Sequence, residues 1–355
     1  VRILFLTDTA EDLLPPEEPG GWFFRANARH DTAVLRAGID PDRIQISTSV
    51  VPPFRDLLRL LNTDSIEAIH SFGTTSWRVG ALAGRVASIP VIASLYETPA
   101  RHSIDTLGDW VAHLPESVQR QGERWLSELT VHRIVVSDDL ARRNMLRAGY
   151  PAECLEVVYP GVDIEAPITP IDRVELGLRP DDPLAVLVSD GDPGAEALLK
   201  MLPGLKARVP NAQVLFVGKH LGDLLLKVNP PLLIRWLPTF DNMRGVLAAG
   251  DAILHHPLHE EVPRAVIEAA AQGKAIVAAR YPGITDLIQE GLTGLLVTPN
   301  DIKDYAIQSS RVLLQPTLAR SLGQAAQQQA HVRFSLRSQI EAMTVLYEAA
   351  VYSGR

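Results

Sequence analysis

The chain has 355 residues, of which 46% are hydrophobic and 21% charged, with a formal net charge of −8. That length suits two domains of ordinary size, and an acidic balance without a long Lys/Arg run argues against a nucleic-acid partner. The single cysteine, Cys154, excludes an intramolecular disulfide and a cysteine metal cluster and points to a reducing compartment, taken as the cytoplasm.

In chain order, RILFLTD predicts a parallel strand buried on both faces, and a first strand rather than a signal peptide because acids follow at once. A loop holding Gly20 and Gly21 then leads into a helix ending near Gly38. RIQIS, IEAIHSFG and IPVIASLYE predict further strands. The helices FRDLLRLLN and WRVGALAGRVAS lie between them, the first with leucines at helical spacing. SVQRQGERWLSELTV begins a long helix, RIVVS is a strand, and Asp138 or Asp139 caps a helix that Gly149 ends. CLEVVYPGVD is one more strand. APITPIDR is Pro-rich and polar and predicts an interdomain linker. The first domain is therefore expected over residues 1–163.

The second unit begins with the strand LAVLVSD and the helix AEALLKMLPGLKARV. The strands AQVLFVG and LLIRWLP, the helix DNMRGVLAAG and the strand AILHH follow. After a short polar loop a helix opens with Pro263 in its first turn. Gly273 is its expected left-handed closing residue, and KAIVAA is a buried strand. Helices fill the rest, with a domain boundary near residue 334 and a last helix over roughly Ser335 to Tyr352. Strand and helix alternate throughout, which predicts an α/β protein with parallel sheets covered on both faces. No apolar run approaches the ~18 residues of a membrane span. No exposed basic amphipathic helix gives positive evidence of membrane docking, and peripheral contact stays open.

Chemistry concentrates between His255 and Asp301. Glu260 lies in the loop and Glu268 inside the helix, with seven residues between them. The free N–H groups of a helix start favour an anion, and carboxylates accept hydrogen bonds from sugar hydroxyls. Two glutamates at this spacing are also compatible with ordinary exposed helix-end carboxylates. The embedding decides between these readings: Glu260-x7-Glu268, then EAAAQGKAIVAA, GITDLI and EGLTGLLV, resembles the signature of family-4 retaining glycosyltransferases.

That resemblance implies the GT-B fold, two Rossmann-like domains with parallel sheets facing across a cleft. It also implies a nucleotide-diphosphate sugar as substrate, no cofactor and no metal. Glu268 would hold the ribose hydroxyls. Glu260, with the backbone of Glu261, Val262 and Pro263, would hold the sugar and diphosphate. Gly218 and Lys219, closing AQVLFVG, fall on the donor side. Gly20 and Gly21 match a glycine pair that lets the backbone approach the donor diphosphate or the acceptor; a plain strand-to-helix turn is the alternative. The last helix would cross back onto the first domain.

The chain departs from the family at three places. A His-Asp pair usually ends the strand here read as IPVIASLYE, and that histidine touches the transferred sugar. Tyr96 and Glu97 occupy those positions, which makes Tyr96 the candidate; His70 and His102 are the nearest histidines in sequence. An Arg and a Lys five positions apart usually neutralise the leaving diphosphate, and Asp190 and Ala195 stand there. A lost charged donor costs roughly 1.5–3 kcal/mol in binding, and in a charged transition state ~10²–10³ in rate. Lys200, Lys219, Arg264 or a metal would have to supply the charge.

His255, His256 and His259 beside Glu260 invite a metal reading, but they span a strand end and loop and lack the HExxH pattern. The sequence thus predicts a retaining glycosyltransferase with an unspecified acceptor. The rival is a catalytically degenerate GT-B protein that serves as a binding or scaffold module, motivated by the three altered positions. Nothing in the sequence reads out the base, the sugar or the oligomeric state.

Overall fold

The computed structural model describes residues 1–7, 13–14, 23–24, 44–72, 74–94, 132–165, 167–188, 192–218, 232–237, 242–256 and 263–353. The chain divides into two compact units, Val1–Gly161 with Leu336–Arg355, and Val162–Ser335.

The first unit contains β1 (Arg2–Thr7), β2 (Leu13–Leu14), β3 (Phe23–Phe24), β4 (Gln45–Val50), α1 (Phe54–Thr63), β5 (Ala68–Phe72), α2 (Thr74–Ala87), β6 (Val91–Ser94), β7 (Arg133–Val136), α3 (Asp139–Arg147) and β8 (Leu155–Val157). Six strands form one sheet in the order β4-β1-β5-β6-β7-β8, all pairs parallel. The uninterrupted apolar run of β1 has a simple cause. Ile3 and Phe5 pack into one core cluster and Leu4 and Leu6 into another, because successive side chains point to opposite faces. Asp138 caps α3, its carboxylate accepting from Ala141 N at 2.6 Å. Gly149 follows at φ 91°, the left-handed region that glycine enters without steric cost.

The second unit contains β9 (Leu184–Val188), α4 (Asp192–Arg208), β10 (Gln213–Val217), β11 (Leu233–Leu237), α5 (Met243–Ala249), β12 (Ala252–His255), α6 (Arg264–Ala271), β13 (Ala275–Ala279), α7 (Pro282–Leu287), β14 (Leu295–Val297), α8 (Ile302–Leu314) and α9 (Pro316–Arg333). Its sheet runs β11-β10-β9-β12-β13-β14, again all parallel. The order reverses between β9 and β12. Arg173, the last residue of the stretch read as a linker, is bound to this unit. Arg173 donates to the carbonyls of Ala249, Pro180 and Asp182 and pairs with Asp251 at 3.0 Å.

The last helix, α10 (Leu336–Ser353), belongs to the first unit. Leu336, Ile340, Met343, Tyr347 and Ala350 recur at helical spacing and join Ile3, Phe5, Phe72, Ile92 and Val135 in one core cluster.

Candidate functional site

In the second unit β12 ends at His255, paired with Val188 of β9. Open parallel sheets hold ligands outside the carboxyl ends of the strands where the order reverses, which is this place. His255 is buried, and its Nδ1 lies 3.1 Å from the Val188 carbonyl. A carbonyl can only accept, so Nδ1 carries the proton. Burial, with a smaller push from His256, lowers the His255 pKa to about 4, so the ring is neutral near pH 7. The Tyr305 hydroxyl of α8 donates to the His255 carbonyl, which pins the strand end from beneath.

Pro263 is the N-cap of α6, at φ −80° and ψ 121°, one position earlier than its expected place in the first turn. Its carbonyl accepts from Val266 N at 3.0 Å. Gly273 closes the helix at φ 67°, as expected.

Glu268 lies on the inner face of α6 and is 6% exposed. Two guanidinium groups approach it. Arg264, one turn earlier, places Nη2 3.4 Å from Oε1; Arg244 of α5 places Nε 3.4 Å from Oε2. Oε2 is buried and accepts no hydrogen bond among the described residues. Burial pushes the Glu268 carboxyl above the usual carboxylate range, and Asp163 adds to that push. Arg264 and then Arg244 pull in the opposite direction. The result is a desolvated carboxylate with two cations beside it and acceptor capacity left over.

Sequence reasoning missed Arg244. It belongs to a separate helix, and its one available signal is being the lone cation of DNMRGVLAAG. Both ends of α5 are held. The Asn242 side chain accepts from Gly245 N at 2.9 Å. At the other end Lys274 Nζ donates to the carbonyls of Ala248 and Gly250 at 2.6 and 2.8 Å, and Arg173 donates to that of Ala249. Cations at a helix C-terminus satisfy its last carbonyls and complement its dipole.

The other candidates fare differently. Gly218 leaves β10 at φ 152°, with its N–H donated to Leu237 O and its carbonyl accepting from Trp236 Nε1 at 2.9 Å. Ala195, at the usual Lys position, is fully buried in the core of the second unit. Lys200 pairs with Glu196 at 2.6 Å on an exposed face of α4. His70 is not a substitute for the family histidine. It is a core residue, with Nδ1 2.7 Å from Tyr347 Oη and Nε2 2.8 Å from Ser94 Oγ. Glu260, Glu261, Val262, Lys219, Gly20, Gly21, Tyr96, Glu97, Asp190, His102 and His259 lie outside the described residues. Among the described residues no group of three or more His, Cys, Asp or Glu could hold a metal ion. None of the described helices is long and apolar enough to cross a membrane.

Residues 9–166 match the model of Glycosyltransferase Family 4, and residues 169–329 match that of Glycosyl transferases group 1. A D-inositol 3-phosphate glycosyltransferase of Actinosynnema mirum is 29% identical over 72% of this chain and 66% of its own length. The sulfoquinovosyl transferase SQD2 of Arabidopsis thaliana is 27% identical over 74% of this chain and 53% of its own. The chain thus spans about two thirds and about half of these relatives. Among solved structures, Anabaena HepE in complex with UDP-glucose superposes with a TM-score of 0.69 at 18% identity, covering 98% of this chain and 99% of that one. Sucrose-phosphate synthase of Thermosynechococcus elongatus does so at 0.65 and 16%, covering 99% and 100%. These likenesses establish the GT-B fold.

Proposed function

The chain belongs to the glycosyltransferases, its first half to family 4 and its second to group 1, and we propose that it moves a sugar from a nucleoside-diphosphate sugar to an acceptor hydroxyl with retention of configuration. The bond between the sugar C1 and the diphosphate oxygen breaks and the nucleoside diphosphate leaves. A C1–O bond to the acceptor forms on the same face, and the acceptor proton is released.

The observation that carries this reading is the Glu268 carboxylate, buried on α6 with two arginines beside it and with Oε2 accepting no hydrogen bond among the described residues. A carboxylate so placed suits the hydroxyls of a ribose. Glu260 would face the sugar, and the backbone of Glu261, Val262 and Pro263 would meet the diphosphate at the start of α6, where helix N–H groups favour an anion. Gly218 and Lys219 would border the nucleotide, Gly20 and Gly21 would let the backbone approach the donor diphosphate or the acceptor, and Tyr96 would take the place of the family histidine. In this reading Lys219 and the α6 N-terminus replace the charge lost at Asp190 and Ala195. Transfer then needs no metal and survives a chelator. The enzyme reading is preferred to a degenerate scaffold because both halves match transferase families and the Glu268 site is built rather than eroded.

Calorimetric titration with UDP, GDP and ADP tests the reading. UDP comes first, since the Anabaena structures hold UDP or UDP-glucose. Binding of one nucleotide is expected, and Glu268→Ala should weaken it by roughly 1.5–3 kcal/mol per lost charged hydrogen bond. Folded protein that binds none of the three overturns the proposal. The anomeric configuration of the product tests retention.

A further inference from the structure

We propose that Arg244 and Arg264 act as a positioning pair for Glu268, fixing the plane of its carboxylate so that the site distinguishes a ribose from a 2′-deoxyribose. This rests on the nucleotide-sugar reading above and names what sets its sugar specificity. The two guanidinium groups come from different helices and meet different oxygens, each at 3.4 Å. Two anchors on two oxygens restrain rotation about the terminal bond, where one anchor would not. Both separations exceed the ~2.7–2.9 Å of a tight charge-assisted hydrogen bond. A carboxylate offers about four lone-pair sites, and Oε2 accepts no hydrogen bond among the described residues. Acceptor capacity therefore remains for two donors, the number that a 2′,3′-diol brings.

Helix stability does not account for these cations. Arg264 sits in the first turn of α6, where a positive charge opposes the helix dipole. An Arg four residues before a Glu is also the weaker order for such a pair. Arg244 projects from α5, which Asn242 holds at one end and Lys274 and Arg173 hold at the other. Its guanidinium is therefore presented from a fixed base. Among the described residues the charges facing Glu268 are Arg264 on its own helix, Arg244 on α5, and Asp163 from the start of the unit. Burial and Asp163 favour the protonated acid and the arginines favour the anion. Removing either arginine therefore weakens the carboxylate as an acceptor, and more so as the pH falls.

The test is a titration of the full chain with UDP, GDP and ADP and the 2′-deoxy form of each, at about pH 8 and about pH 6. It compares wild type, Arg244→Gln, Arg244→Lys and Arg264→Gln. Wild type should prefer the ribo form. Arg244→Gln and Arg264→Gln should each shrink that preference by about tenfold, the size expected for a displaced charged hydrogen bond, and more at the lower pH. Arg244→Lys keeps the charge without the fork, so it should recover the pH behaviour but not the full preference. A merely structural role would lower thermal stability and leave the ribo-to-deoxy ratio and its pH dependence unchanged.

An unchanged ratio in the folded glutamine variants overturns this inference and leaves the donor reading standing. Wild type that binds none of the three nucleotides overturns both. If Arg244→Gln does not fold, carbon-detected NMR titration of the Glu268 carboxyl in Arg264→Gln and Arg244→Lys, without nucleotide, decides the matter. An upward shift in Arg264→Gln together with a smaller ribo-to-deoxy ratio in the same variant supports the pair, and an unchanged ratio or no shift overturns it.

Discussion

His70 of β5 and Tyr347 of α10 meet at 2.7 Å across 277 positions of sequence. The His70 ring also lies among Phe5 and Phe72, with centroids at 5.4 and 3.9 Å, and its other nitrogen meets Ser94. This polar contact sits inside the apolar seam by which the last helix closes the first unit. A buried hydrogen bond of that kind adds little net energy, but breaking one side of it is costly.

Tyr347→Phe should therefore destabilise the first unit by about 1–3 kcal/mol, because it leaves the His70 nitrogen without this partner while the packing stays almost unchanged. Urea denaturation followed by a probe in the first unit would measure it. A loss below a few tenths would mean that the contact contributes only shape.

Acid should weaken the fold before the carboxylates titrate. Burial lowers the pKa of His70 to about 3 and of His255 to about 4, both from 6.5. Each folded value lies below the unfolded one, so the unfolded chain binds the proton better. The stability is complete above pH 6.5 and is lost as pH falls from there toward 4 and 3. The slope approaches ~1.4 kcal/mol per pH unit for each histidine. One histidine lies in each unit, so both should weaken. Denaturation midpoints that stay flat between about pH 7.5 and about pH 5 would contradict the assignment.

Gly323→Ala should strain the second unit. A Cβ at Gly323 would fall 1.9 Å from the Gly273 carbonyl oxygen, so α9 must move off the turn that ends α6. Overpacking of this kind costs about 1–3 kcal/mol. Because α6 carries Glu268, nucleotide affinity should fall with the melting temperature. Calorimetric melting and titration of the same variant would show whether the two losses go together.

Lys274→Met should remove both donors from the carbonyls of Ala248 and Gly250. Hydrogen bonds from charged groups are each worth about 1.5–3 kcal/mol, so a measurable loss in the second unit is expected. Since α5 presents Arg244 to Glu268, the variant should also weaken nucleotide binding more than an exposed control such as Lys200→Met. Equal affinities in the two variants would separate the end of α5 from the donor site.

The sequence by itself determined the local structure and the family. The two-sided burial of β1, the Asp138 cap, the left-handed Gly149 and Gly273, and the alternation of strand and helix are all short-range consequences of side-chain size and backbone freedom. They can be read within a few residues. The run from Glu260 through EGLTGLLV was equally local and carried the glycosyltransferase assignment and the place of Glu268. What only the tertiary structure decided depends on groups remote in sequence. Arg244 became visible when α5 came to lie beside α6. His70 passed from a histidine of open role to a core residue because α10 returns to the first sheet. Arg173, at the end of the linker stretch, found partners on other segments, Ala249 and Asp251 among them. The first two depend on burial, which strengthens electrostatics and penalises unpaired polar groups, and burial is a property of packing that no stretch of sequence carries alone.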